Sequence, residues 1–333
     1  MATFVRTQEI EHEIGLDGSL QLRITSADVQ IRAIEGSVAR ARAIFEIRAA
    51  DEAEADQVFA EVQLRVARGD GTLAISEPDR HMLGLGAGLH RLLGRPYADL
   101  SVKVELPAGA EVRVDGVSAD LTATGLRGNQ HFKTVSGDLV LTDVTGKLGL
   151  HSVSGDATVR AVGELALEAG SVSGDLSIVA PRLSRLHANT VSGDLEIEAE
   201  LAGGESHRVE TVSGDLTLGL VGSLNLEVRG LSTDVRCDLP HRSEGSRDRR
   251  RYIIGEDGPQ MLFGSMSGDV SVRAARRLTA AGPAQPPEPR DRPEPPAPPP
   301  PPDERLAILH ALERGELDVD EALRRLSGEG SGA

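Results

Sequence analysis

Between residues 117 and 236, apolar and polar residues alternate on either side of a short interruption that keeps returning. In Lys147-Leu148-Gly149-Leu150-His151-Ser152-Val153, and again in Asp156-Ala157-Thr158-Val159-Arg160, the alternation is the period-two signature of half-buried strands, with Ser154-Gly155 between the two runs. The interruption recurs as Ser136-Gly137-Asp138, Ser173-Gly174-Asp175, Ser192-Gly193-Asp194 and Ser213-Gly214-Asp215. Looser copies are Ser118-Ala119-Asp120, Ser232-Thr233-Asp234 and Ser267-Gly268-Asp269. The serines at 118, 136, 154, 173, 192, 213 and 232 are 18, 18, 19, 19, 21 and 19 residues apart. So steady a period means one structural unit stacked on itself.

Each unit reads as strand, tight bend, strand, turn. Glycine at the bend permits positive φ, and Ser and Asp hydrogen-bond nearby backbone to close it. The residue before each Ser (Val135, Val153, Val172, Val191, Val212) and the Leu or Val after each Asp are expected to point inward. A unit this small buries its apolar face only against its neighbours, so the predicted fold is all-β, a β-solenoid of 18–21-residue repeats. A flattened or triangular coil with a path of roughly 60 Å fits the period, and so does a row of hairpins. Aspartates in register about 4.8 Å apart repel one another by about 1 kcal/mol per pair in water. Two offsets present themselves: backbone N–H donors within each bend, or a column of cations such as calcium. The Gly-Gly-x-Gly-x-Asp pattern of calcium-binding solenoids is absent, so no metal is assigned.

The remaining chain divides around this core. Residues 1–278 are expected to form the solenoid, which starts early because Ser26-Ala27-Asp28 is a degenerate copy of the bend. A helix is predicted over 51–61, followed by strands at Val62 to Val66 and Leu73 to Ser76. The apolar, glycine-rich and basic segment Arg80 to Arg95 reads either as a peripheral membrane or partner contact or as an insertion folded over one end. The excursion from Leu239 to Gly264 carries Arg247-Asp248-Arg249-Arg250-Arg251, read as an anion-holding run or a solvated hairpin tip. The copy at Met266 to Val272 is expected to close the solenoid. Residues 279–302 form a polyproline spacer, and 303–327 a small C-terminal helical hairpin. Its leucines, Leu306, Leu309 and Leu312 on the first helix and Leu323 and Leu326 on the second, are expected to bind a partner or a second copy, because two short helices bury too little alone.

Composition narrows the function. Aromatic residues are 2% with no Trp, so Val, Leu, Ile and Ala must fill the interior. A net charge of −16 disfavours a general nucleic-acid surface, and a single Cys excludes a disulfide framework or a Cys-based zinc cluster. No 18-residue apolar stretch occurs and the first residues lack a secretory-type run, so no transmembrane segment and a cytoplasmic location are expected. The nine histidines form no metal-binding pair, Ser-Gly-Asp lies between strands rather than on a nucleophile elbow, and no phosphate loop is present. No catalytic, cofactor or metal residue is assigned.

The repeated Val-Ser-Gly-Asp-Leu phrase, with the strand Val102-Lys103-Val104-Glu105-Leu106-Pro107, resembles the bacterial "putative adhesin" family of unknown function, also called the toastrack domain. The resemblance covers residues 4 to 275, and the segment from Ile308 to Leu326 is similar to helical oligomerisation modules attached to that domain. It implies a β-helical, non-enzymatic module linked to envelope-stress signalling and scaffolding. The expected function is a scaffold that binds a protein partner or itself. The alternatives are a self-polymerising structural protein and a polysaccharide-active β-helix enzyme using the Asp column.

Overall fold

The repeat strands pair in parallel, which excludes the row of hairpins. In this computed structural model the described residues are 2–78, 97–246 and 249–275. The Arg80 to Arg95 segment, the proline-rich residues 279–302 and residues 303–327, where the helical hairpin and its five leucines are expected, lie outside them. One wall of the coil is built from the strands that follow each bend. Leu121–Thr124, the start of Leu139–His151, the start of Ala157–Ser173, the start of Leu176–Ser192, then Leu195–Leu201 and Leu216–Val221 stack in that order. The facing wall holds the strands that precede the bends: Glu111–Ser118, Asn129–Lys133 and the second halves of the same long strands. Ala157–Ser173 turns from one wall to the other where its register shifts between Arg160 and Glu164. Each repeat is thus one flattened coil of two walls.

The interior is a set of aliphatic ladders, as the near absence of aromatic residues requires. Leu139 and Leu141, Ala157 and Val159, Leu176 and Ile178, and Leu195 and Ile197 face Leu148 and Leu150, Leu165 and Leu167, and Leu186. Parallel in-register pairing stacks aliphatic side chains on neighbouring rungs, Leu148 on Leu167, Leu167 on Leu186 and Ile178 on Ile197, while Leu139 meets Ala157 and Leu141 meets Val159. Burying one such side chain contributes about 2 kcal/mol.

The valines before the serines do not point inward. Val117, Val135, Val153, Val172, Val191 and Val212 are 43 to 47% exposed, and Met266 and Leu231 more so. Strict alternation explains it: with Leu148 and Leu150 buried, Ser152 is the next inward position and Val153 must face out. The inward corner position is a small residue throughout: a hydroxyl residue at Thr134, Ser152, Ser171, Thr190, Thr211 and Ser265, and glycine at Gly116 and Gly230.

Coil order departs from chain order at both ends. The copy containing Ser267-Gly268-Asp269 does not close the stack. Its strands Gln260–Ser265 and Val270–Ala274 lie between the coil of His207–Glu210 and Leu216–Val221 on one side and that of Leu224–Gly230 and Val235–Cys237 on the other. Ser232-Thr233-Asp234 is therefore the outermost bend, and the chain returns through a hairpin, His241–Ser246 and Arg249–Ile254, antiparallel to Leu224–Gly230. At the other end the Ser26-Ala27-Asp28 coil (Ser19–Ser26, Asp28–Ile34) sits between later segments, with Thr72–Ser76 and Tyr97–Pro107 outside it and Glu111–Ser118 and Leu121–Thr124 inside.

Antiparallel strands finish each end. Val38–Ala49 pairs with Tyr97–Pro107, and Ala2–Glu13 with Val38–Ala49. Arg42–Glu9 and Arg40–Glu11 pairs, 2.9 and 3.3 Å apart, put charge along that outer strand, a feature that blunts edge-to-edge addition. The helix runs Glu52–Val62, opened by the Asp51 carboxylate accepting the Glu54 N–H at 2.9 Å, while Glu54 accepts the Ala50 N–H at 2.6 Å. Arg6 holds it through Asp56 and Glu52.

Candidate functional site: the bend edge

The eight Ser-x-Asp bends from Ser118 to Ser267 stack into one continuous edge beyond the Ser26-Ala27-Asp28 copy, and its geometry follows from three residues per coil. Beneath the bend, the Thr134 hydroxyl donates to the Ser136 carbonyl at 2.9 Å, the Ser152 hydroxyl to the Ser154 carbonyl at 3.2 Å, and the Gly214 N–H donates to the Thr211 hydroxyl at 2.9 Å. These bonds hold the turn from inside. Outside, serine N–H groups ladder between coils, Ser136 to Val117 at 2.7 Å, Ser154 to Val135 at 2.9 Å and Ser213 to Val191 at 2.9 Å.

Glycine is required by proximity as much as by φ. A Cβ on Gly155 would lie 2.3 Å from the Gly137 carbonyl oxygen, one on Gly174 2.3 Å from that of Gly155, and one on Gly193 2.3 Å from that of Gly174. Gly137, Gly155 and Gly174 also take φ of 116°, 112° and 138°. The backbones at these bends are in contact, so no side chain fits at Gly137, Gly155, Gly174 or Gly193.

The aspartates form a single ladder. Asp138 N–H donates to Oδ1 of Asp120, Asp156 to Asp138, Asp175 to Asp156, Asp194 to Asp175 and Asp215 to Asp194, all at 2.9 to 3.0 Å. The ladder then follows the spatial order of the coils: Asp269 donates to Asp215 at 2.8 Å and Asp234 to Asp269 at 2.9 Å. The donor to each of the seven carboxylates from Asp120 to Asp269 is the next coil's backbone, whereas the offset by N–H donors considered from the sequence placed them within the carboxylate's own bend. A charge-assisted bond of this kind contributes about 1.5 to 3 kcal/mol, enough to outweigh about 1 kcal/mol of repulsion between neighbouring carboxylates. No ion pair reaches any of these eight aspartates among the described residues, and none of their groups of His, Cys, Asp or Glu is placed to hold a metal ion.

The edge therefore carries a row of aliphatic side chains, a row of serines and a row of carboxylates in parallel. In spatial order the aliphatic row is Val117, Val135, Val153, Val172, Val191, Val212, Met266 and Leu231. Eight rungs at about 4.8 Å span roughly 34 Å. Among the sites read from the sequence, Ser118, Ser136, Ser154, Ser173, Ser192, Ser213 and Ser267 and their aspartates all fall on this edge. The aliphatic row was missed as a surface, although alternation counted back from Leu148 and Leu150 carries the signal.

The basic run resolves differently. Arg249 grips the Glu227 carboxylate at 2.8 and 3.1 Å, Arg229 at 2.6 Å and Arg251 at 3.6 Å, while Arg250 donates to the Thr233 carbonyl at 2.9 Å. The hydrogen bond from Arg249, ahead of the Arg229 bond and the charges of both guanidiniums, lowers the Glu227 pKa to about 2. These arginines tie the terminal hairpin to the stack. On the outer face of the second wall, the His131 and His151 rings lie 5.4 Å apart, and burial, followed by Arg113 and His151, lowers the His131 pKa. Gly149 makes room for the His131 ring, since a Cβ there would sit 2.7 Å from Nδ1.

Residues 18–273 match the protein-family model described as Toastrack DUF4097. No curated protein matches the chain. Among solved structures, the chain is similar to a "putative cell adhesion protein" of Clostridium sporogenes, at 12% identity over 81% of this chain and 100% of the other, with a TM-score of 0.27. It is also similar to a "putative lipid binding protein" of Parabacteroides distasonis, at 15% identity over 79% and 96%, TM-score 0.43. A "putative adhesin" of Parabacteroides merdae matches at 13% identity over 81% and 96%, TM-score 0.34.

Proposed function

The chain belongs to the toastrack family, DUF4097, and from that premise we propose that it is a non-enzymatic binding scaffold whose working surface is the bend edge. The observation that carries this reading is the unbroken row of eight exposed aliphatic side chains beside the aspartate ladder. Single exposed apolar residues are ordinary on a soluble surface, but a contiguous stripe is the mark of a contact site. The aspartates support binding over catalysis. All but the outermost, Asp234, accept the same backbone bond from the next coil, whereas acid–base chemistry on a glycan needs two carboxylates in unlike surroundings.

A photo-crosslinking residue placed at Val172 or Val191 should capture a discrete protein in native cells, and one placed at His187, on the wall rather than the edge, should not. Equal capture from both positions, or none from the edge, would overturn the assignment. The setting we assign is regulation of envelope stress from the cytoplasmic side, with residues 303 to 327 supplying self-association. Light-scattering mass of the full chain beside a chain ending at Ala281 tests the second part; an unchanged mass removes it.

A further inference from the structure

The bend edge constrains the shape and charge of what can lie on it. Its apolar rungs repeat at about 4.8 Å along the stack, close to the 5.4 Å turn of an α-helix, whereas same-face residues of an extended strand recur at about 6.7 Å. A helix laid along the row slips by about 0.6 Å per rung and so stays within half a rung for about four turns, or roughly 14 residues. An extended strand is out of step by about 2 Å at the first rung.

Charge selects among helices. Oδ1 of Asp120, Asp138, Asp156, Asp175, Asp194, Asp215 and Asp269 is held by the next coil, and Oδ2 of each has no hydrogen-bond or ion-pair partner among the described residues. A row of half-satisfied carboxylates beside an aliphatic stripe is complementary to a stripe of aliphatic side chains flanked by Lys or Arg. An anionic membrane surface or a second copy of the same edge would bring like charge against it.

We infer that the occupant of the bend edge is an amphipathic helix of a protein partner, about four turns long, with lysines or arginines along one side of its apolar stripe. This rests on the reading of the edge as the working surface. The helix lies along the stack axis, its apolar side chains between successive valines and its cations over the aspartate ladder.

The test uses the full chain and three labelled peptides of about 15 residues: a Leu-striped helix flanked by Lys, the same helix flanked by Glu, and the Lys peptide with a central Pro. Fluorescence anisotropy should show the Lys helix binding, with affinity falling as salt rises. The Glu and Pro versions should bind at least about tenfold more weakly. Val172→Lys with Val191→Lys should abolish binding. Asp156→Asn with Asp175→Asn, which keeps an oxygen acceptor for the ladder, should weaken it and flatten the salt dependence. Circular dichroism establishes that both variants retain the fold. Equal binding of the Pro peptide overturns the helix while leaving the edge as the contact surface. If the Lys helix fails to bind, or binding ignores both double variants, the inference fails whatever crosslinking at Val172 captures. Capture at Val172 that the Lys helix does not compete away would likewise preserve the edge and discard the helix.

Discussion

The backbone N–H of Asp194 donates to Oδ1 of Asp175 at 2.9 Å, and Asp175 in turn donates to Asp156 at the same distance. The carboxylate is thus both a rung acceptor and one member of a row of like charges. Asp175→Ala removes the acceptor together with the repulsion from its neighbours, and leaves the orphaned N–H at the surface, so the net loss should be about 1 kcal/mol. Asp175→Asn keeps an oxygen and removes the repulsion from two neighbours, so at low salt it should be at least as stable as the parent, with any advantage fading as salt is raised. Urea unfolding at two ionic strengths separates the two effects. Equal losses in both variants would mean that the charge, not the acceptor, holds the ladder.

Glycine stacking gives a second outcome. Gly174→Ala meets both a φ of 138° and a carbonyl oxygen 2.3 Å from the new Cβ, so a loss of about 3 kcal/mol or more in unfolding free energy is expected. Gly203→Ala, where nothing lies within 4 Å, should change stability little. Thermal unfolding of the pair reads the difference directly.

Val172 and Ile178 belong to one coil but face opposite ways, one 47% exposed and the other fully buried. Val172→Ser should alter stability by less than about 1 kcal/mol, and Ile178→Ala should reduce it by about 2 to 5 kcal/mol. Denaturant midpoints that fell equally would put the aliphatic row back among the core ladders.

The terminal hairpin makes stability depend on acid. Glu227 has its pKa lowered from 4.5 to about 2 by its arginines. A folded-state pKa below the unfolded one adds stability that is fully present above 4.5 and is lost as pH falls toward 2. The stability gap between the parent and Glu227→Gln should therefore be constant above that window and shrink within it. A gap independent of pH would show that the charge on Glu227 does not hold the hairpin.

Much of this architecture is written locally. The Ser-Gly-Asp phrase marks the central bends because contact between neighbouring backbones admits only glycine at Gly155, Gly174 and Gly193. Membership of the stack was legible even at Ser26-Ala27-Asp28, whose coil pairs with Ser118-Ala119-Asp120. The direction of Val153 was also present in the alternation, but a valine beside a turn reads as core unless the phase is counted from Leu148 and Leu150. Coil order at the ends is not encoded locally. The runs around Asp234 and Asp269 carry the same pattern, and only the hairpin from His241–Ser246 to Arg249–Ile254, tied down through Glu227, decides which lies outside. The donor to each aspartate also depends on a neighbouring coil, so no single repeat reveals it.

The out-of-order coil at the carboxyl end has a kinetic consequence. Rungs in the middle of the aspartate ladder join residues 18 to 21 apart, from Asp138 to Asp215, whereas the rung from Asp269 to Asp215 spans 54 residues. Closing the longer loop costs about 1 kcal/mol more in chain entropy, and the inserted strands find both neighbours only once Leu224–Gly230 is already positioned beyond the gap. Contacts of low sequence separation form fastest, so the central coils should assemble first and the insertion should be the last step, and in reverse the first to open. Amide hydrogen exchange should then be fastest for Val270–Ala274 and slowest for Leu176–Ser192, making the stack a zipper that fastens from its middle.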